Sequence, residues 1–545
     1  MSRSRIPARL APIGLALLAA FSSASAQEAA PIVVTGNRMP QPLTDALPHT
    51  TLLTRAEIER SQAVDLASLI ARESGVEFAS NGGRGAATSL FLRGAQNRQV
   101  LVLVDGVPLA RHDATGQVGI EHLMLDQVDR IEIVRGNLSA VYGSGAVGGV
   151  IQVFTREGRG PVRASVHLEA GSLGFVHGSA QVGGGSASTQ WSVGASAQRA
   201  RGQSAIDPAV FPSVNPDRDG YRNTSANANV AHDWAPGQRL SAGLLVVDGK
   251  LAYDSKFDTP ADTQDSRSRK TMLRVGSENE FGHAGTSSVQ LSRQRERADD
   301  ATTGTYGYVS RYTTVVDTLN WTHRFVPVAG WQAQGGVEVQ RQRIDGDDGY
   351  GGGYADGRDI TALFGGVQGR LGAHTLGLNL RHDRVKGGDA QTTGRADWAW
   401  GFAPGWRVNA SLATSFAVAP LGYLYASGFG NPDLKAELAR SGEVGLQWTS
   451  GAQVLRATYF DNRVRDEIAY DFGTNRFENL GRTRNRGLEL SYSGRIGATD
   501  VRASVTSQDP TNLDTDTRLL RRAAFLASTT VSQDLGSGWR VGGAL

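Results

Sequence analysis

From about residue 160 onward the sequence alternates with a period of two. Leu376, Leu378 and Leu380 take turns with Gly377, Asn379 and Arg381, and Val444, Leu446 and Trp448 with Glu443, Gly445 and Gln447. Leu488, Leu490 and Tyr492 alternate in the same way with Glu489, Ser491 and Ser493. Successive side chains of a strand point to opposite faces, so each such segment has one apolar and one polar face. Past the N-terminal leader there is no apolar run of about 18 residues, which excludes membrane-spanning helices. Segments of about ten alternating residues, repeated along most of the chain, predict a transmembrane β-barrel with lipid outside and a polar lumen.

The punctuation between strands agrees. Asp233-Trp234-Ala235-Pro236-Gly237, Ala403-Pro404-Gly405-Trp406 and Gly536-Ser537-Gly538-Trp539 are short turns, each with a tryptophan beside it. Tryptophan at that level suits an interfacial aromatic girdle. Longer Asp/Gly/Tyr-rich stretches at 202–222, 252–266, 297–308 and 345–357 are expected to be extracellular loops. A soluble β-sandwich is the alternative, but so many hairpins are unusual for one such domain. Roughly nineteen strand-like segments follow residue 161. A single-chain barrel needs an even number, and the last residues, Gly542-Gly543-Ala544-Leu545, read as mid-strand. The expectation is a chain lacking about three strands, on the order of 60 residues, at its C-terminus.

Arg3, Arg5 and Arg9, an apolar run from Leu10 to Phe21 and Ala24-Ser25-Ala26 form a secretory signal peptide. The apolar run is shorter than the ~20 residues of a membrane anchor. With residues 1–26 removed, the 56 basic groups fall by three arginines to match the 53 acidic ones. A neutral exported protein argues against a nucleic-acid partner. There is no cysteine, hence no disulfide, thiolate metal site or catalytic thiol. No Ser/His/Asp constellation stands out among the 10 histidines, so an enzyme is not expected.

Residues 32–157 differ in character from the alternating region. Ala56 to Ser74 carries Ile58, Ala63, Leu66, Leu69 and Ile70 at amphipathic-helix spacing. "SLFLRG", "QVLVLVDGVPL" and "DRIEIVRG" read as strands, giving a small mixed α/β domain. Gly143, Gly145 and Gly148 match the spacing of a dinucleotide-binding fingerprint. That motif requires a helix after its last glycine, whereas Gly149 to Thr155 is β-branched and strand-like. No nucleotide is implied.

In this domain the sequence resembles the TonB-dependent outer-membrane transporters. Ile32-Val33-Val34-Thr35-Gly36 is similar to their TonB box, and "LFLRG", "VLVLVDGVPL", "RIEIVRGNLSAVYGSGAVGGVIQVFT" and "GNPDLKAE" to their plug and barrel signatures, in order. Asn137 stands where the family usually has proline. The resemblance implies an antiparallel barrel of about 22 strands filled by a plug. The expected division is signal peptide 1–26, TonB-box segment 27–40, plug 41–158 and barrel 159–545. It further implies a monomer in outer-membrane lipid that imports a scarce, large substrate with energy from the TonB complex. Strand addition at Ile32–Gly36 is a reasonable mode of engagement. A passive porin-like barrel is the competing class, and it would need neither box nor plug.

Arg93 and Arg135 lie in plug signatures, and Glu443 and Glu489 face the lumen by the alternation, so these four are expected to form a buried plug–barrel charge cluster. "SFAVAPLGYLYASGFGNPDLKAE" and "TRLLRRA" resemble the cobalamin branch more than the siderophore receptors. That branch implies calcium held by loop aspartates, here Asp207, Asp217, Asp219, Asp254 and Asp265, and substrate contacts from Gln96, Thr115, Tyr253 and Ser255. A ferric siderophore is the alternative substrate. His112, in a plug loop, keeps a haem ligand open as well.

Overall fold

The computed structural model describes residues 33, 34, 38, 39 and 41–545 apart from 258, 306 and 350. The signal-peptide segment, Ile32, Thr35 and Gly36 lie outside the described residues. Among the described residues the alternating region forms one antiparallel sheet of 20 strands, from Arg163–Gly171 to Trp539–Ala544, in strict sequence order. One of them, Thr517–Arg518, has only two residues; the other nineteen agree in number with the roughly nineteen expected. Among the described residues the two outermost strands each pair on one side only. Polar residues of the alternation face inward, as with Asn379, Arg381, Glu443 and Glu489, all buried. Their apolar neighbours face out: Leu412 is 70% exposed and Val444 56%. Trp400, Phe402, Trp406 and Trp448 follow one another around the short-turn rim with ring centroids 5.7 to 6.4 Å apart.

Most of the expected loops are shorter than their composition suggests. Strand continues to Tyr253 and resumes at Thr263, continues to Thr303 and resumes at Tyr308, and continues to Asp347 and resumes at Gly353. Only 202–222 remains a loop almost throughout, and a second long connection, 418–436 with the helix Leu421–Tyr425, escaped the composition signal. Cross-strand pairing of charged residues in and beside these stretches keeps the strands going. Arg267 meets Asp248 at 2.5 Å, Arg311 meets Asp299 at 2.7 Å and Arg343 meets Asp317 at 2.6 Å. Opposite charges facing across a ladder support it. Thr263–Glu280 and Thr286–Thr303 are 18 residues long. At ~3.4 Å per residue they far exceed the ~10 residues needed to cross a bilayer, so they stand out beyond it.

Inside the barrel sits a mixed sheet ordered Thr50–Thr54, Val128–Arg135, Gly149–Thr155, Val100–Val104, Val107–Pro108. Val100–Val104 and Gly149–Thr155 form its one parallel pair among the described residues. The helix expected over 56–74 is two helices, Arg55–Ser61 and Leu66–Ile70. Gln62 breaks the first in a left-handed conformation (φ 50), and Asp65 starts the second with its carboxylate on the Ser68 N–H. Ile58, Leu66, Leu69 and Ile70 pack on Val102, Ile131, Ile133 and Ile151, and Leu245, Val247 and Met272 of the barrel wall join that cluster. The Gly143-to-Gly148 turn lies against the wall, with the Gly145 N–H donating to the Phe416 carbonyl at 2.9 Å. A Cβ on Gly148 would fall 2.7 Å from the Leu92 carbonyl oxygen, so only glycine fits there.

Leu412, six positions along its strand from the rim residue Trp406, is placed near the bilayer midplane. Leu412→Arg should lower folding stability in vesicles by about 2–4 kcal/mol. An unchanged denaturant midpoint would remove this position from the lipid-facing surface.

Candidate functional site

Arg93 lies at the end of the plug strand Thr88–Leu92, with a left-handed backbone (φ 51) and its N–H on the Gly75 carbonyl at 2.7 Å. This turn points the side chain out of the plug. The guanidinium meets Glu489 twice, Nε at 3.0 Å and Nη2 at 2.8 Å, and Glu443 through Nη1 at 3.0 Å. It also lies 4.7 Å from the Phe460 ring centroid. All three charged side chains are almost completely buried. Burial alone would lower the Arg93 pKa, but Glu443 and Glu489 outweigh it and hold the guanidinium above the usual arginine range.

Two glycines make room for the carboxylates. A Cβ on Gly75 (φ +69) would fall 2.2 Å from Glu489 Oε1, and one on Gly136 (φ +91) 2.1 Å from Glu443 Oε1. Both positions combine the left-handed region with close approach, two separate requirements for glycine. Arg135 is fully buried nearby but touches neither glutamate. Its Nε donates to the Ser74 carbonyl at 2.9 Å and its Nη1 to Thr51 Oγ1 at 2.8 Å. Its influence on the cluster is through space, and burial holds its own pKa low.

His49 belongs to this cluster and sequence reasoning missed it. Its Nδ1 is 3.1 Å from Glu489 Oε2. Burial, reinforced by Arg135, pushes the imidazole down to about 3, so it is neutral. Arg395 was missed too. It reaches from the wall to the Asn137 carbonyl at 3.1 Å and pairs with Asp397 at 2.7 Å. The inward alternation that marked Glu443 could have marked both Arg395 and Asp397; His49, in an irregular plug segment, gave no such signal.

The N-terminal segment is tied to the wall at successive points. Val33–Val34 pairs with Gln41–Pro42. Arg38 bonds Glu338 at 2.9 Å, Asp45 takes Arg370 at 2.7 Å and the Ala46 carbonyl takes Arg407 at 2.6 Å, before His49 reaches Glu489.

The expected substrate residues fall into two groups. Gln96 donates to Glu467 and accepts from Arg98. Arg98 lies 5.8 Å from the Tyr423 ring centroid, and the Tyr423 hydroxyl lies 3.5 Å from the Thr115 carbonyl, so these residues share one neighbourhood. Thr115 is exposed, its N–H on Asp113 at 2.9 Å. Tyr253 packs instead beside Ala86, Tyr221 and Leu251, with Ser255 two residues on. Of the five aspartates, Asp217, Asp219 and Asp254 bring carboxylate oxygens within 4.8 Å of one another. Asp265 pairs with Lys250 at 3.0 Å, and Asp207 accepts from the Ala209 N–H at 2.9 Å, both outside that group. Asp219 Oδ1 is buried without a hydrogen-bond partner among the described residues. Burial, with Asp254 and Asp217 nearby, raises the Asp219 pKa to about 6. Between plug and wall lies a cavity of roughly 520 Å³, bordered by His112, Arg358 and Pro420 and extending to Glu157, Arg239 and Glu278.

Removing Glu489 leaves the buried Arg93 with one carboxylate, Glu443. Glu489→Ala should destabilise plug docking by about 3–5 kcal/mol. Amide hydrogen exchange at residues 74–76 and 93–95 should rise sharply; unchanged protection there would separate the cluster from plug retention.

Residues 171–544 match the family described as TonB dependent receptor-like, beta-barrel, and residues 42–150 the TonB-dependent Receptor Plug Domain. A protein named Vitamin B12 transporter BtuB from Vibrio cholerae serotype O1 is 30% identical over 507 residues, 90% of this chain and 80% of that protein. Among solved structures, a mutant of the ferric enterobactin receptor PfeA from Pseudomonas aeruginosa superposes with a TM-score of 0.75 at 17% identity, covering 91% of this chain and 84% of that one. The siderophore receptor PirA from Acinetobacter baumannii also gives 0.75, at 16% identity, covering 90% and 85%. With its plug seated in an antiparallel barrel sheet and both family signatures matched, the chain belongs to the TonB-dependent receptors of the bacterial outer membrane.

Proposed function

We propose that this transporter imports cobalamin, binding it at the outer face and admitting it when TonB, engaged at Ile32–Gly36, displaces the plug. The observation that carries the substrate is the 30% identity, spread over 90% of the chain, to a protein named for vitamin B12 transport. The likeness to siderophore receptors extends to the fold alone, at 16–17% identity.

Gln96 and Thr115 would meet the substrate from the plug and Tyr253 and Ser255 from the wall. At roughly 520 Å³ the cavity between plug and wall would not pass a large substrate unless the plug moved. Polar contacts such as Arg93 with Glu443 and Glu489 suit that task, because water can replace them in a way it cannot replace an apolar core.

Calcium is the cofactor proposed for the loops. Asp217, Asp219 and Asp254 fit a cation by their mutual distance and by the unpartnered Asp219 oxygen. Asp254 lies between Tyr253 and Ser255, so whatever orders it also orders both contacts. When bound, calcium would supply a charge that draws carboxylates from separate loops together. Asp207 and Asp265 would have to leave their present partners to join.

Three outcomes are expected. Deleting residues 32–36 should abolish cobalamin uptake by cells while leaving binding to the purified protein intact; continued uptake would point to passive diffusion. Equilibrium binding should favour cyanocobalamin over ferric siderophores, fall with a chelator, and fall at least tenfold in Asp217→Ala with Asp219→Ala. Siderophore binding in its place would sink the cobalamin reading. Because the Asp219 carboxyl takes up its proton near pH 6, calcium affinity should weaken as pH is lowered from 7 to 5. Isothermal titration at the two pH values checks this, and Asp219→Asn should flatten the dependence.

A further inference from the structure

The first hairpin of the barrel carries a group of side chains that the transport reading leaves unused. His167 and Glu169 occupy lumen-facing positions of the strand Arg163–Gly171, alternating with the outward Val166 and Leu168. Glu169 is paired in register with His177 of the next strand. Donor atoms of His167, Glu169 and His177 all lie within 4.8 Å of one another. Glu169 Oε2 is 3.6 Å from His167 Nε2 and 3.8 Å from His177 Nδ1. These separations are too long for hydrogen bonds. They lie within a few tenths of an ångström of the ~3.4 Å between neighbouring ligands of a tetrahedral zinc ion.

The other side of His177 faces the plug. Its Nε2 is 2.9 Å from Asp126 Oδ2, on the plug turn Leu125–Gln127, and Ser179 donates to the other Asp126 oxygen at 2.8 Å. With one carboxylate at Nε2, Nδ1 is the ring nitrogen left to meet a cation on the Glu169 side. Imidazole held by a carboxylate behind it is the arrangement found around metal-ligating histidines. A carboxylate on each side of the ring favours positive charge between Nδ1 and Glu169, which a metal dication can supply in place of a proton. Two imidazoles and one carboxylate select a transition-metal dication such as Zn²⁺ over Ca²⁺, which prefers oxygen ligands.

We propose that His167, Glu169 and His177 form a binding site for a divalent transition-metal ion on the inner wall of the first hairpin, with the plug residue Asp126 orienting His177. The fourth position would be open to water. Since Asp126 belongs to the plug and the ligands to the wall, metal binding and plug seating are coupled: each strengthens the other by the same factor.

The test uses the full chain purified in detergent and stripped with a chelator. Zn²⁺ affinity is measured by competition with a chromogenic chelator, and Co²⁺ is added separately to read the visible absorption of a tetrahedral site. One equivalent of Zn²⁺ is expected, with an intense tetrahedral Co²⁺ spectrum. His167→Ala, at a half-exposed position where folding is not at stake, should weaken zinc at least 100-fold and abolish that spectrum. Asp126→Asn should weaken it about 10–100-fold. Asp217→Ala with Asp219→Ala should leave it unchanged. Wild-type affinity in both His167→Ala and Asp126→Asn, loss of zinc in the double aspartate variant, or no zinc binding to the wild type below millimolar concentration would each overturn the proposal.

Discussion

Everything inside this barrel is organised around a charge that has been taken out of water. Arg93 is buried where its hydration is lost, a cost of several kcal/mol that only closely placed partners can offset. Glu489 supplies a two-point contact and Glu443 a third. The partners come from the wall and the cation from the plug, so neither half is comfortable alone. A plug without its wall exposes an arginine shaped to a vanished site, and a wall without its plug leaves two glutamates to repel each other. The glycines at 75 and 136 show how tightly the halves are fitted, since a methyl group at either would occupy the place of a carboxylate oxygen.

The same division of labour recurs around the lumen. Arg98 of the plug meets Glu437 of the wall, and Arg502 of the wall meets Glu57 and Glu73 of the plug. Arg407 and Arg456 reach instead to plug carbonyls at Ala46 and Thr50. The plug's own interior is different: Ile70, Leu90, Ile131, Ile133 and Ile151 are completely buried in an apolar cluster. Within the plug, cohesion rests mainly on apolar burial, while attachment to the wall rests heavily on polar contacts. The two respond oppositely to entering water, which dissolves ion pairs but not hydrophobic contacts.

How far the sequence discloses this depends on periodicity. The alternation places Glu443 and Glu489 on the inner face directly, because a period of two leaves no freedom once the outer face is known. By the same rule Arg395 and Asp397 were readable, being two apart on one strand. Arg93 was visible through family signatures, but that Arg135 donates to Ser74 and Thr51 instead of to a glutamate was not, since that depends on how irregular segments pack. His49 lies in such a segment. Loop lengths were misjudged for a further reason: Asp265 and Asp299 look like loop residues in one dimension, and only the neighbouring strands provide Lys250 and Arg311, which keep them in a ladder. Gln62 ends a helix without any of the usual breakers, so one helix became two.

The route of the N-terminal segment along the wall has a mechanical meaning. A pull applied near Val34 travels along the chain through Arg38, Asp45, Ala46 and His49 in that order, and each is fastened to a different strand of the barrel. Because the fastenings are in series, they would release one after another, so the load at any moment is that of a single contact and not of the whole interface. Those at Arg38 and Asp45 are partly exposed; the last is buried against Glu489, the carboxylate that also holds Arg93. Tension would therefore arrive at the central charge cluster only after the slack before it has been drawn out, and it would arrive there first among the deeply buried contacts. Loaded in this way the segment would act as a graded fuse, with weak steps outside and the decisive one at the end.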